Sequence, residues 1–276
     1  MDNHDASVSA HPPFDLDRVA TFFRRSLCSD NEIIENKEMV EIALSEEQVY
    51  GVPSGVLVET PKRTIDGEED RRAEDVLLAD YIEAYNELNK MFPKLGRLFS
   101  FISSDVADKT RILSEHQKSP VGNKYERIGG MLDYEKNEAK ILEPTSDHHH
   151  HRLSLHHHHE LANGSRTLLR LHRALQFVVQ FIDSIRCASD NDKMAHLARK
   201  AYDDTLAHHH PWLVRKGVHM AVYTLPSRHQ LLADLAGSDV AQEEAEKVME
   251  ETVAASRTVY DIVQRLYEKH GLLDLP

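Results

Sequence analysis

The stretch that decides the fold class is Arg166-Thr167-Leu168-Leu169-Arg170-Leu171-His172-Arg173-Ala174-Leu175-Gln176-Phe177-Val178-Val179-Gln180-Phe181-Ile182-Asp183-Ser184-Ile185. Apolar almost all round, it is expected to form a central, buried helix. Two arginines complicate that expectation. Arg166 and Arg170 lie four apart, hence on one face, and lead into Ala174, Phe177 and Phe181. The result is a cationic head on an apolar track. A charge on a buried face is costly unless it is paired or meets a ligand.

Helical patterns flank this segment on both sides. Leu16, Val19, Phe22, Phe23 and Leu27 predict a first amphipathic helix from Phe14 to Leu27. From Asp75, the residues Leu77, Leu78, Tyr81, Ile82, Tyr85 and Leu88 form a second stripe, broken at Phe92-Pro93 because the residue before Pro disfavours the α conformation. Further helices are expected over about Leu95–His116 and, more weakly, Tyr125–Leu142. Ser165 is the expected N-cap of the central segment. After it come helices at His196–Ala207 and Trp212–Leu225, the latter opened by Pro211 and ended by Pro226. One or two more cover Val240–His270. No alternating strand pattern of useful length occurs, so the fold class is all-α.

Two segments stand apart. Residues 29–75 hold fourteen Asp/Glu and five Lys/Arg, which accounts for −9 of the chain's net −13. With Pro53, Gly55, Pro61 and Gly67 they read as an acidic, mobile surface insertion. Residues 144–164 form a low-complexity loop with two runs of four histidines, His148–His151 and His156–His159. Such runs resemble metal-binding tracts, but without flanking Cys or carboxylate geometry they are read as expansion, and no metal site is expected. Residues 1–13 are polar and expected to be disordered, leaving 14–276 as one domain interrupted by the insertion and the loop.

Composition excludes several classes. The acidic balance argues against nucleic acid as the main partner. No stretch approaches the roughly 18 apolar residues of a membrane span. The N-terminus lacks a signal-peptide core. Cys28 and Cys187 show neither metal spacing nor a disulfide framework, as expected in a reducing cytosol. There is no Gly-rich phosphate loop, Gly-x-Ser-x-Gly elbow, His-Glu-x-x-His or kinase set.

A second charged couple complements the arginines. Asp105 and Lys109 lie four apart on the stripe Leu98–Ile102–Val106–Ile112–Leu113. The four charges fit an internal ion-pair network, with Asp105 holding a cation. They also fit an absent anion. Three cations against one carboxylate leave excess positive charge, and arginines in the first turn of a helix oppose its dipole unless an anion joins them. His210 and the lone Trp212, in His210-Pro211-Trp212, have bland readings as structural and core residues.

The same residues carry a resemblance. Ser100-Phe101-Ile102-Ser103-Ser104-Asp105-Val106-Ala107-Asp108-Lys109 resembles the headgroup helix of the glycolipid transfer protein superfamily. Gly164 to Leu175 resembles its second headgroup helix, and His210-Pro211-Trp212-Leu213-Val214-Arg215 its His-Pro-Trp segment. The ending from Tyr267 to Pro276 is similar to that of the ceramide-1-phosphate branch. The resemblance covers Phe14 to about Cys28 and Val76 to Pro276.

It implies a two-layer helical sandwich enclosing a hydrophobic lipid pocket, no cofactor, and transfer of a sphingolipid without chemistry on it. By the same resemblance Asp105 binds the ceramide amide N–H and His210 donates to its carbonyl. Lys109, Arg166 and Arg170 hold the phosphate, with Arg111 as a weaker match. Glycolipid-binding members carry Trp and Asn where Arg170 and Lys109 stand, so ceramide-1-phosphate is the expected ligand. Leu98, Phe101, Ile102, Leu171, Leu175, Val214 and Val218 are the expected pocket lining. Trp212, Met91 and Phe92 are the expected transient membrane contact, helped by Lys90, Lys94, Arg215 and Lys216. The expected location is the cytosol, with peripheral membrane association. The alternatives are a sphingolipid sensor, a glycolipid carrier, and a phospholipid-modifying enzyme using Lys109 and His210.

Overall fold

A computed structural model describes residues 13–27, 75–96, 99–138, 163–236 and 240–276. The N-terminal segment, nearly all of the acidic insertion, and the histidine loop up to residue 162 lie outside the described residues, as does Leu98. Among the described residues there are nine α-helices and no strand, only one isolated bridge between Leu77 and Arg127. They are α1 (Leu16–Ser26), α2 (Leu78–Asn89), α3 (Ser100–Gln117), α4 (Ile128–Asn137) and α5 (Gly164–Cys187). The chain continues through α6 (Met194–Asp204), α7 (Trp212–Ala221), α8 (Arg228–Ala236) and α9 (Gln242–His270). The all-α expectation holds, and α8 is an element the sequence reading lacked.

The helices form a two-layer sandwich. α1 packs on α2 and α9, α9 packs on α5, and α5 also meets α3, α4 and α6. Burial follows the sequence periodicity. On α9 the buried set Ala245, Met249, Thr252, Val253, Ser256, Val259, Val263 and Tyr267 runs at steps of three and four. Gly271, left-handed at φ 67°, stops that helix and turns the chain back. α5 fulfils its expected central place through buried Leu168, Leu169, Leu171, Leu175, Ile182 and Ile185.

Three local expectations change. α5 is capped by Asn163, whose side chain accepts from the Arg166 N–H at 3.1 Å, while Ser165 lies inside the first turn. The predicted helix from Leu95 begins at Ser100, because Phe92–Leu95 forms a 3₁₀ turn with Pro93 in its first positions. The same turn folds Phe92 and Leu95 inward to 6% and 3% exposure. Asp75 starts no helix; instead its carboxylate accepts from the Gly129 N–H at 2.9 Å, at the start of α4.

Candidate functional site

Asp105 and Lys109 of one couple and Arg170 of the other line one cavity of about 540 Å³, enclosed between α2, α3, α5, α6 and α7. Phe101, Ile102 and Val106 of α3 line it opposite Leu171, Phe177 and Phe181 of α5. The polar lining is Asp105, Lys109, Arg170, Arg173, His209 and His210, with the phenols Tyr85 and Tyr202. Five helices and apolar walls therefore converge below a set of cations, one carboxylate and two imidazoles.

The premise that these charges lie on buried faces needs correction. Asp105 and Arg170 are exposed, Arg166 is half-buried, and only the Lys109 side chain is largely covered, at 12%. Neighbouring helix positions are about 100° apart, so Asp105 sits at the flank of the stripe whose buried members are Val106 and Leu113. Lys109 Nζ donates to Asp105 within α3, which gives the ion-pair reading its partial truth. Arg170 lines the cavity, whereas Arg166, one turn earlier, does not. Arg111 is held by Glu115 at 2.7 Å and Asp108 at 3.8 Å, away from the cavity lining.

The dipole of α5 is also answered from within the fold. The N-terminus of α5 already has its anion, the buried carboxylate of Glu135. It accepts from the Gly164 N–H at 2.8 Å, the Ser165 N–H at 2.7 Å and the Tyr125 O–H at 2.8 Å. With Asn163 taking the Arg166 N–H, the backbone N–H donors of Gly164, Ser165 and Arg166 in the first turn of α5 are spent. A β-carbon on Gly164 would stand 2.9 Å from Glu135 Oε1, so glycine is what allows the carboxylate in. An anion at the cavity is left to side chains, not to the helix end.

His210 is half-buried and extends the chain from the 3₁₀ turn Leu206–His209 into α7. Its Nδ1 lies 2.8 Å from the Tyr202 hydroxyl. Burial pulls its imidazole below the ordinary range; the charge of Asp105 opposes this and that of Lys109 adds to it. Three residues from the two motifs thus lie close enough for their charges to act on one another. The sequence reading missed Arg173 and Tyr202. Arg173 lies three residues after Arg170, a spacing that could have revealed it; it donates to the carbonyls of Leu273 at 2.7 Å and Leu275 at 3.3 Å, and Pro276 joins the cavity wall. No sequence signal marked Tyr202.

Of the residues expected to line a pocket, Phe101, Ile102, Leu171, Val214 and Val218 border this cavity. Leu175 does not line the cavity: it is fully buried in the core. The expected membrane contact also divides. Met91 and Phe92 are buried and line the cavity, since the 3₁₀ turn tucks them inward. Trp212 is 63% exposed, next to Leu213 at 74%. Lys216 Nζ lies 5.8 Å from the Trp212 ring centroid. Among the described residues, no helix is long and apolar enough to cross a membrane.

The sequence profile of the family described as glycolipid transfer protein matches residues 76–237. The chain is 38% identical over 202 residues to the ceramide-1-phosphate transfer protein of Mus musculus, covering 73% of this chain and 88% of the relative. To that of Homo sapiens it is 36% identical over 203 residues, covering 74% and 89%. The crystal structure of the human ceramide-1-phosphate transfer protein in complex with 12:0 ceramide-1-phosphate aligns with a TM-score of 0.67 at 28% identity, covering 95% of this chain and 100% of that one. The chain belongs to the glycolipid transfer protein family.

Proposed function

We propose that this protein carries ceramide-1-phosphate between membranes and leaves the lipid chemically unchanged. The observation that carries the reading is one cavity with Lys109 and Arg170 among its polar lining and aromatic and aliphatic walls. Its relatives at 36–38% identity, ceramide-1-phosphate transfer proteins by name, support the same ligand. In this reading Lys109, Arg170 and the neighbouring Arg166 hold the phosphate. The guanidinium fork suits two phosphate oxygens at once, and the ammonium adds a point charge. Asp105 accepts the amide N–H and His210 donates to the amide carbonyl. Lys109 then divides its donors between Asp105, which it already holds, and the phosphate.

The energetic problem a carrier solves is the chains. Each methylene exposed to water costs about 0.8 kcal/mol, so a two-chain lipid does not desorb quickly unaided. A dry cavity offsets that cost if the mouth touches the bilayer. Trp212, Leu213 and Val214 open α7 as an exposed apolar edge, and Val214 also lines the cavity, so the edge runs on into the pocket. Arg215 and Lys216 on the next turn suit anionic headgroups. The test is competition transfer between vesicles carrying phosphorylated and glycosylated ceramides, with mass spectrometry of donor and acceptor. Intact ceramide-1-phosphate should move preferentially. Equal movement of glucosylceramide, or release of inorganic phosphate, would overturn the reading.

A further inference from the structure

We propose that Tyr202 is a positioning residue that sets the tautomer of His210, so that His210 presents an Nε2–H donor to the lipid amide. The proposal rests on the reading above, in which His210 meets the amide carbonyl, and adds the group that makes it a donor there.

The geometry leaves two arrangements. Tyr202 Oη and His210 Nδ1 are 2.8 Å apart, and one proton lies between them. If Nδ1–H donated to the phenol oxygen, the O–H of Tyr202 would be left over. Tyr202 is 1% exposed, and among the described residues its hydroxyl has no other hydrogen-bond partner. An unspent buried donor is costly. If the O–H donates to Nδ1 instead, the phenol is satisfied and the ring proton resides on Nε2. That nitrogen makes no hydrogen bond among the described residues, and His210 lines the cavity. The opposite tautomer would set an imidazole lone pair against a carbonyl lone pair.

Two features keep the arrangement in force. Burial holds the His210 imidazole neutral at neutral pH, so the choice of tautomer matters; a cation would donate from both nitrogens. Burial also pushes the Tyr202 phenol up to about 12, so it keeps its proton. The ring of Tyr202 is gripped independently of its hydroxyl. Phe177 lies edge-on with centroids 6.2 Å apart, and His219, itself 2.6 Å from Asp203, at 6.0 Å. Tyr202→Phe should therefore keep the fold while deleting only the donor.

The experiment has three arms. Long-range ¹H–¹⁵N correlation of histidine-labelled, full-length wild-type protein at neutral pH should show His210 with a bare Nδ1 and a protonated Nε2. The opposite tautomer would overturn the proposal without any variant. Tyr202→Phe should give a tautomer mixture, unchanged thermal unfolding and about fivefold slower ceramide-1-phosphate transfer between vesicles, the scale of one neutral hydrogen bond. Full transfer with an unchanged tautomer would overturn the role of Tyr202 alone, provided His210→Ala is impaired. If His210→Ala transfers at full rate, the lipid contact itself fails, and the proposal with it. The double variant should be no slower than His210→Ala; an added loss would show that Tyr202 acts by another route and would overturn the proposal.

Discussion

The inner end of α5 and the cavity mouth one turn away treat charge in opposite ways. At the inner end, Glu135 is 1% exposed, and the backbone N–H groups of Gly164, Ser165 and Arg166 are committed to it or to Asn163. At the mouth, Arg170 and Asp105 are exposed, and Lys109 spends one contact on Asp105. The same contrast recurs at the far end of α5. Arg228, 2% exposed, donates to the carbonyls of Ile185 and Arg186 and pairs with Glu246 at 2.7 Å. A charge that is truly buried is matched by the fold itself, because nothing else can repay its desolvation. In the proposed reading, a charge kept for a ligand stays where water can hold it until the ligand arrives.

The largest effect that could break this contrast lies at the inner end. Glu135→Ala strands two backbone N–H groups and the Tyr125 hydroxyl, and should cost about 3 kcal/mol in urea unfolding. A loss below about 1 kcal/mol would mean the carboxylate holds nothing together. A comparable effect should appear with acid. His172 is buried against Tyr260, its ring centroid 4.3 Å away, and burial lowers its pKa to about 4. The unfolded chain therefore takes up a proton on this residue near pH 6.5 that the folded chain refuses. Stability from this group is full above about 6.5 and falls by about 3 kcal/mol as pH drops toward 4. A histidine NMR titration in which His172 becomes charged above pH 6 would remove that contribution.

The mouth should behave in the reverse sense. Arg170→Ala should slow ceramide-1-phosphate transfer at least tenfold, in line with about 1.5–3 kcal/mol for a hydrogen bond to a charged group, while unfolding shifts by less than about 0.5 kcal/mol. Equal losses of stability and transfer would collapse the distinction between the two regions. The smallest effect belongs to Trp212→Ala, at an exposed position. It should weaken binding to lipid-filled vesicles severalfold in a sedimentation assay, with stability unchanged. Unaltered vesicle binding would move the docking edge elsewhere.

Much of this arrangement was legible along the chain. The 3.6-residue periodicity places α1, α2, α5, α6, α7 and α9 within a few residues of their observed bounds, since each buries one apolar face. The i, i+4 couples were identified as belonging together, and Asp105, Lys109, Arg170 and His210 do line one cavity. The errors share a cause. The flank of an apolar stripe and its centre look alike in a sequence, so Asp105 seemed buried and Leu175 seemed to face the pocket. Met91 and Phe92 seemed to be an exposed loop tip because a 3₁₀ turn that tucks them inward has no periodic signature. α8 is short, at nine residues, and follows Pro226 too closely to establish a pattern of its own.

Local pattern by itself determined the helical class and the grouping of cations with one carboxylate, because these depend on residue type and spacing within single helices; the expectation of a phosphate in place of a sugar came from the family resemblance at Arg170 and Lys109. Only the tertiary structure decided which charges are internal and which face the cavity, that Glu135 occupies the helix end an anion seemed to need, and that Tyr202 stands against His210. Those contacts join residues from different helices, such as Glu135 with Gly164 and Ser165, whose meeting depends on how the layers stack. The periodicity of one helix shows which face it buries, but carries no information about which residue of another helix will lie against that face.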